Sequence, residues 1–146
     1  MRYLVYTDAA ASTQKRISGC AYVIFTDKMY ITSESVKVSA TYNPTHAEVV
    51  SIGLAAAYIV DNMKVDQGDT VTIFSDCLSA IDFCKAHLDS GGSVASPSKV
   101  VRNSVLVLRQ LSEMCKVNFQ KVHGHKDAVN PNMFVDRLAK LPLRRE

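Results

Sequence analysis

The sequence of 146 residues predicts one α/β domain, with a five-stranded mixed sheet flanked by helices in the order β-β-β-α-β-α-α-β-α. Three observations predict this class. Three β-rich segments precede the first helical pattern, strand and helix patterns then alternate, and the content of 47% hydrophobic and 21% charged residues is that of a globular protein. A chain of this length can bury about two-thirds of its unfolded surface, so we expect a single domain over residues 1–146.

The first part of the chain predicts a three-stranded meander. Arg2–Thr7 is rich in aromatic and branched residues and ends at Asp8. Ser18–Thr26 and Met29–Val38 are two further β-rich segments, separated by a two-residue turn. Short connections of this kind predict antiparallel hairpins.

The rest of the chain alternates helical and strand patterns. Hydrophobic spacing and turn residues predict helices over Thr45–Met63, Cys77–Leu88 and Lys99–Cys115 and strands over Thr70–Phe74 and Val117–Val122. The short apolar run of Thr70–Phe74 is typical of a buried central strand. Pro131 then begins a last helix, whose predicted apolar side carries Phe134, Val135, Leu138 and Leu141.

Composition also bears on location. The longest apolar run, Gly53–Val60, is far shorter than the ~18 residues that cross a bilayer, and the apolar stretch near the start is too short for a signal peptide. The four cysteines form no CxxC pair, which predicts free thiols in a reducing cytosol. We therefore expect a cytoplasmic protein without membrane contact. We also expect a monomer, although no feature of the composition bears on the number of chains.

Charge is unevenly distributed along the chain. Residues 1–75 carry 6 basic and 7 acidic groups, whereas residues 76–146 carry 11 and 7. An excess of positive charge in one half favours a polyanionic partner, although a solvated basic surface has the same composition.

Four acidic residues stand where surface solvation does not explain them. Asp8 and Asp76 end two predicted strands, Glu48 lies in the first turn of a mostly apolar helix, and Asp136 lies among predicted core residues. Buried neighbouring carboxylates are costly and repel one another unless a cation lies between them. Oxygen ligands without cysteine favour Mg²⁺ or Mn²⁺, which indicates phosphoryl chemistry. The alternative is that these acids cap helices or pair with surface lysine and arginine.

Five short motifs occur in a characteristic order. They are Tyr6-Thr7-Asp8, His46-Ala47-Glu48, Phe74-Ser75-Asp76, Gly124-His125, and Asn132 with Val135-Asp136-Arg137-Leu138-Ala139. Together they resemble the ribonuclease H enzymes of the first type over nearly the whole chain. The ribonuclease H-like fold also has the element order predicted above.

The resemblance implies an endonuclease that hydrolyses the RNA strand of RNA/DNA hybrids with two divalent ions, leaving 5′-phosphate and 3′-hydroxyl ends. Asp8 would bridge both ions, Asp136 would help to hold the ion that activates water, and Glu48 with Asp76 would hold the other. His125 would assist proton transfer or product departure. The substrate contacts that the resemblance implies are Ala9, Ala10, Ser12, Asn43, Thr45, His123, Lys126 and Asn132.

The chain departs from the family pattern at three places. Ala9-Ala10 stands where glycine and serine are common, Pro44 where an asparagine is common, and Leu78 where a hydrogen-bonding side chain is frequent. These changes leave the predicted metal ligands intact and affect the reading of RNA 2′-hydroxyls. Two alternatives stay open: another nuclease of the same fold, of the junction-cutting or strand-transfer type, and a non-catalytic nucleic-acid-binding module.

Overall fold

The computed structural model describes residues 1–27, 29–39, 43–90, 92–94, 98–122 and 131–144. Within these ranges, nine elements follow one another in the predicted order. They are β1 (Arg2–Ser12), β2 (Ile17–Thr26), β3 (Tyr30–Val38), α1 (Pro44–Asn62), β4 (Thr70–Ser75), α2 (Leu78–Ser90), α3 (Lys99–Met114), β5 (Lys116–Lys121) and α4 (Pro131–Arg144).

The strands form one mixed sheet in the order β3-β2-β1-β4-β5. The pairs β1/β2 and β2/β3 are antiparallel, and β1/β4 and β4/β5 are parallel. The predicted fold class is therefore confirmed. β4 has a strand on each side, as its apolar sequence predicts, while β1 occupies the middle of the sheet.

β1 is longer than the sequence predicts, and Asp8 lies inside it rather than at its end. Parallel pairing with β4 stops at Tyr6 and Phe74, but antiparallel pairing with β2 continues to Ser12 and Ile17. Alanines have low strand propensity, so residues 9–11 alone do not signal a strand. The β2 partner supplies the hydrogen bonds that extend it, and Asp8 emerges where β4 ends.

The larger core lies between the sheet and helices α1, α2 and α3. It contains fully buried residues such as Val5, Ile24, Ile52 and Ile73. α1 and α3 pack closely at Gly53, where a Cβ atom would overlap the side chain of Ser104.

α4 covers the other face of the sheet with a side that overlaps the predicted one in part, since Val135 is buried and Leu138 packs beside it as predicted. Its buried residues are Asn132, Val135, Ala139 and Pro142, and the predicted core residue Phe134 is 46% exposed. The cause is the close approach of α4 to β2, where a Cβ at Gly19 would overlap the carbonyl oxygen of Ala139. A small side chain fits this contact, so the side of α4 that carries Ala139 faces the sheet.

The cysteines are free thiols, as predicted. Cys20, Cys84 and Cys115 are buried, and burial raises the pKa of Cys20 to about 11 and that of Cys84 to about 12. Within the described residues, no helix is long and apolar enough to cross a membrane. The reducing cytosol stays a prediction.

Candidate active site

Three of the predicted site carboxylates meet where the parallel pair β1/β4 ends. Asp8 comes from β1, Asp76 follows β4, and Glu48 comes from α1. One oxygen of each lies within 4.8 Å of the others. Glu48 is the fifth residue of α1 rather than a first-turn residue, because the helix begins at Pro44.

Two of these carboxylates are buried with incomplete hydrogen bonding. Asp8 is 3% exposed and Glu48 is 7% exposed. Oδ1 of Asp8 accepts a hydrogen bond from the Ala9 amide at 2.9 Å. With every carboxylate ionised, Oδ2 of Asp8 and Oε1 of Glu48 accept no hydrogen bond in the described part of the chain. Buried oxygens in this state are costly unless a cation binds them.

The electrostatics agree with this geometry. Burial, repulsion by Asp76 and a hydrogen bond with Asp136 together raise the pKa of Asp8 to about 7, against the lowering effect of the Ala9 amide. Burial, followed by the charges of Asp8 and Asp76, also raises the pKa of Glu48. A divalent cation would relieve these repulsions, and the all-oxygen donor set fits a hard ion such as Mg²⁺ or Mn²⁺.

Asp136 stands beside this group but has a cationic partner. It lies on α4 close enough to Asp8 to affect its pKa, and its Oδ2 accepts from Nζ of Lys140 at 3.0 Å, one turn along the helix. The structure therefore brings Asp136 to the site while pairing it with a lysine.

The start of α1 forms a polar rim near the carboxylates. Asn43 caps the helix, its Oδ1 accepting from the amide of His46 at 3.1 Å. Oγ1 of Thr45 lies 3.3 Å from Oγ of Ser79 at the start of α2. Leu78, the first residue of α2, is 51% exposed and places an apolar side chain on the same rim.

The remaining predicted substrate residues are dispersed. Ala9, Ala10 and Ser12 continue β1 past Asp8 and are half-buried. Asn132, on α4, is fully buried. The predictions for His123, His125 and Lys126 lie outside the described residues.

Sequence reasoning missed one polar group that touches the site. Ser51 is fully buried, and its hydroxyl bonds the main-chain carbonyl of Asp8 at 2.8 Å. The available signal was a hydroxyl residue three positions after Glu48 in an otherwise apolar stretch of helix.

The mixed sheet and a cluster of carboxylates that could hold a metal ion are compatible with metal-dependent catalysis. The sequence model of the RNase H family matches residues 1–143, so the chain belongs to the RNase H family. Enzymes of this family are metal-dependent hydrolases that act on RNA/DNA hybrids, and the cluster of Asp8, Glu48 and Asp76 could hold a metal.

A solved structure shows the same fold. The crystal structure of RNase H1 from the halophilic archaeon Halobacterium salinarum NRC-1 matches with a TM-score of 0.71 and 15% sequence identity, and the match covers 100% of both chains. A comparison with curated proteins gives no match.

Proposed function

We propose that this protein is an endonuclease that hydrolyses the RNA strand of RNA/DNA hybrids with Mg²⁺ or Mn²⁺, leaving 5′-phosphate and 3′-hydroxyl ends. One observation carries the proposal: three carboxylates from separate elements converge within 4.8 Å, and when all are ionised two of them have buried oxygens that accept no hydrogen bond from the described residues. A binding module has no use for such a repulsive arrangement. Membership of the RNase H family supports the hybrid as substrate.

We assign four carboxylates to two ions. Asp8 would serve both, because it lies close to Glu48 and Asp76 and also has Asp136 beside it. Glu48 and Asp76 would hold one ion, and Asp136 would help to hold the other. When bound, two ions of this kind activate the attacking water and stabilise the departing oxygen of an in-line displacement. The Ala9 amide fixes one oxygen of Asp8 and leaves the other for the ions.

Other residues would position the hybrid and move the proton. Asn43 and Thr45 lie on the rim beside Glu48, and Ala9, Ala10 and Ser12 continue the strand that carries Asp8. We assign these groups, with His123 and Lys126, to contacts with the hybrid, and His125 to proton transfer or product departure. Asn132 is fully buried, so its predicted substrate contact stays a prediction.

Strand-specific cleavage under single-turnover conditions tests the proposal. An RNA/DNA hybrid labelled on either strand is incubated with the protein and Mg²⁺, beside RNA/RNA, DNA/DNA and a four-way DNA junction. We expect cleavage of only the RNA strand of the hybrid, with a 5′-phosphate on the downstream product. Faster cutting of the junction would favour another nuclease of this fold, and binding without cleavage would favour a non-catalytic module.

A matched pair of variants links the activity to the carboxylates. Asp8→Asn preserves shape and removes a negative ligand, so we expect it to abolish cleavage. Asp82→Asn makes the same change on an exposed position of α2, six residues after Asp76, and should leave cleavage unchanged. Equal activity of both variants at saturating Mg²⁺ would refute the metal assignment.

We also propose that the protein acts as a cytoplasmic monomer. Sedimentation of the free protein and of its complex with a short hybrid in Ca²⁺ tests the monomer. We expect one protein chain in each species, and a second chain in either would contradict the proposal.

A further inference from the structure

Ser51 joins the two elements that carry the most buried site carboxylates. It lies on α1, three residues after Glu48, and is fully buried. Its hydroxyl oxygen lies 2.8 Å from the carbonyl oxygen of Asp8 on β1 and 3.1 Å from the carbonyl oxygen of Ala47 on α1. The hydroxyl has one proton, which these two acceptors share, and the shorter contact is the one to the strand.

A comparison within the molecule shows that this contact is more than ordinary helix bonding. Buried serines in helices often donate to the carbonyl four residues earlier, and Ser104 on α3 does so, to Val100 at 2.9 Å. Ser51 makes the equivalent contact to Ala47 and a further one to Asp8. The further contact ties the helix to the strand at the residue that bears the carboxylate.

Both the main chain and the side chain of Asp8 are therefore fixed by hydrogen bonds. Its carbonyl accepts from Ser51, and its Oδ1 accepts from the Ala9 amide. Glu48 lies on the same helix as Ser51, less than one turn away. The hydroxyl thus links the backbone of Asp8 directly to the helix segment that presents Glu48.

We propose that Ser51 is a positioning residue, which holds Asp8 and Glu48 at the spacing that a divalent ion requires; this inference rests on the proposed function. When both are ionised, the two carboxylates repel each other, so losing the Ser51 hydrogen bond would let their backbones shift slightly before an ion binds. Mg²⁺ demands near-ideal geometry at about 2.0–2.1 Å, which makes its affinity sensitive to small shifts of the ligand backbone. Losing a group that orients metal ligands typically costs about 10–100-fold in metal affinity.

Metal-dependent thermal stabilisation gives a readout that does not depend on cleavage. The melting temperature of Ser51→Ala is measured across a Mn²⁺ series and compared with wild type and with Ser104→Ala. Each variant loses a buried serine hydroxyl that donates to the carbonyl oxygen four residues earlier in its helix. Without metal, both should therefore have a lower melting temperature than wild type. We expect Ser51→Ala to need about 10-fold more Mn²⁺ for the same stabilisation, and Ser104→Ala to need the wild-type concentration.

Cleavage of the hybrid gives a second readout. For Ser51→Ala, we expect the Mg²⁺ concentration at half-maximal rate to rise about 10-fold, with a smaller loss of rate at saturating Mg²⁺. A residue with a merely structural role would lower stability and leave the metal requirement unchanged, as expected for Ser104→Ala.

Ser51→Cys is the second variant should Ser51→Ala fail to fold. A thiol has a similar shape to a hydroxyl but is a weak donor, so Ser51→Cys should also need more Mn²⁺ than wild type for the same stabilisation. The measurement needs a reducing agent, because a hydrogen bond with Ser51 influences the pKa of Cys20 and the two side chains are therefore adjacent.

The outcomes separate this inference from the proposed function. A wild-type Mn²⁺ requirement in Ser51→Ala or Ser51→Cys, together with a lost metal response in Asp8→Asn, overturns the role of Ser51 and leaves the metal site standing. A wild-type protein that gains no stability from Mn²⁺ or Mg²⁺ overturns the metal site and the role of Ser51 with it.

Discussion

The parallel pair β1/β4 carries aspartates at both of its ends, in opposite surroundings. Before β4 begins, Oδ1 of Asp69 accepts from the Met1 amino group at 2.8 Å and Oδ2 accepts from the Asp66 amide at 3.0 Å. These bonds lower the pKa of Asp69. At the other end, burial and neighbouring carboxylates raise the pKa of Asp8 and of Glu48.

The difference separates an acid that stabilises the fold from acids that destabilise the metal-free fold. Both oxygens of Asp69 have donors, so its charge is stabilised where it is. Asp8 and Glu48 each keep a buried oxygen without a donor in the described part of the chain, which favours unfolding in the absence of a cation. Buried acids without hydrogen-bond donors are expected at functional sites, where groups needed for the reaction are kept although they cost stability.

The largest expected effect is on catalysis. Asp76→Asn should lower the rate of hybrid cleavage by roughly 10³-fold or more, because a charged ligand of the ions contributes several kcal/mol and each 1.36 kcal/mol is tenfold in rate. Asp69→Asn removes a carboxylate at the opposite end of the same strand pair and should leave the rate near wild type. Single-turnover cleavage at saturating Mg²⁺ measures both.

This pair of variants also tests the comparison itself. Near-normal turnover by Asp76→Asn would remove the chemical distinction between the two ends. A large loss in Asp69→Asn would show that the paired end also contributes to the reaction. Circular dichroism of each variant establishes that the fold is intact.

The next effect concerns the two histidines after β5. The amide of Val122 donates to the carbonyl oxygen of Ser75 at 2.9 Å, so the chain leaves β5 beside Asp76, at the carboxylate end of the sheet. We expect His125→Ala to slow the chemical step by about 10²-fold or less, because the ions already activate water and stabilise the leaving group. His123→Ala should mainly weaken hybrid binding, by an amount that shrinks at high salt if the ring contacts phosphate as a partial cation.

Single-turnover cleavage at saturating protein separates the two histidines. Under that condition a binding defect disappears and a chemical defect persists. If His123→Ala slows cleavage more than His125→Ala, the assignment of the two side chains is reversed.

A third effect is on stability without metal. At pH 8, where Asp8 is largely ionised, Asp8→Asn should raise the melting temperature in EDTA by roughly 2–6 °C, since removing one repelling charge relieves about 1–2 kcal/mol in a domain of this size. The asparagine side chain of this variant can still accept from the Ala9 amide. Asp69→Asn should lower the melting temperature slightly, because it weakens the bond to the Met1 amino group. A lower melting temperature than wild type in both variants would contradict the view that the site destabilises the metal-free fold.

The sequence could predict the fold because its signals are local. Hydrophobic spacing, Pro131 and the Asn43-Pro44 start place the elements within a few residues of their positions in the structure. Position in the sequence also singles out Asp8, Glu48 and Asp76, which the structure brings together, whereas the roles that the resemblance implies for them stay predictions.

What the sequence could not predict depends on tertiary partners. The end of β1 beyond Asp8 exists because β2 pairs with it, and the buried side of α4 is selected by Gly19 on the sheet. Ser51 looks like any helical serine until β1 places the carbonyl of Asp8 beside it.

The smallest expected effect is the dependence of metal-free stability on pH, which has opposite signs at the two ends. The pKa of Asp8 is raised from an ordinary value of 3.8 to about 7, so its protonated form favours folding below about pH 4 and this contribution is lost as the pH rises through 7. Asp69 has a lowered pKa, so its contribution is present above its ordinary value of 3.8 and is lost as the pH falls below it.

These contributions are measured as the difference in melting temperature between each variant and wild type, in EDTA, at each pH from 3 to 8. The advantage of Asp8→Asn over wild type should be small near pH 4 and grow through pH 7, because wild type then carries the repelling charge and the variant does not. The disadvantage of Asp69→Asn should be constant above about pH 5 and shrink below pH 4, where wild type also loses the charge. An advantage of Asp8→Asn that stays constant from pH 4 to pH 8 would mean that Asp8 keeps one protonation state over this range, and that burial and its neighbours do not raise its pKa.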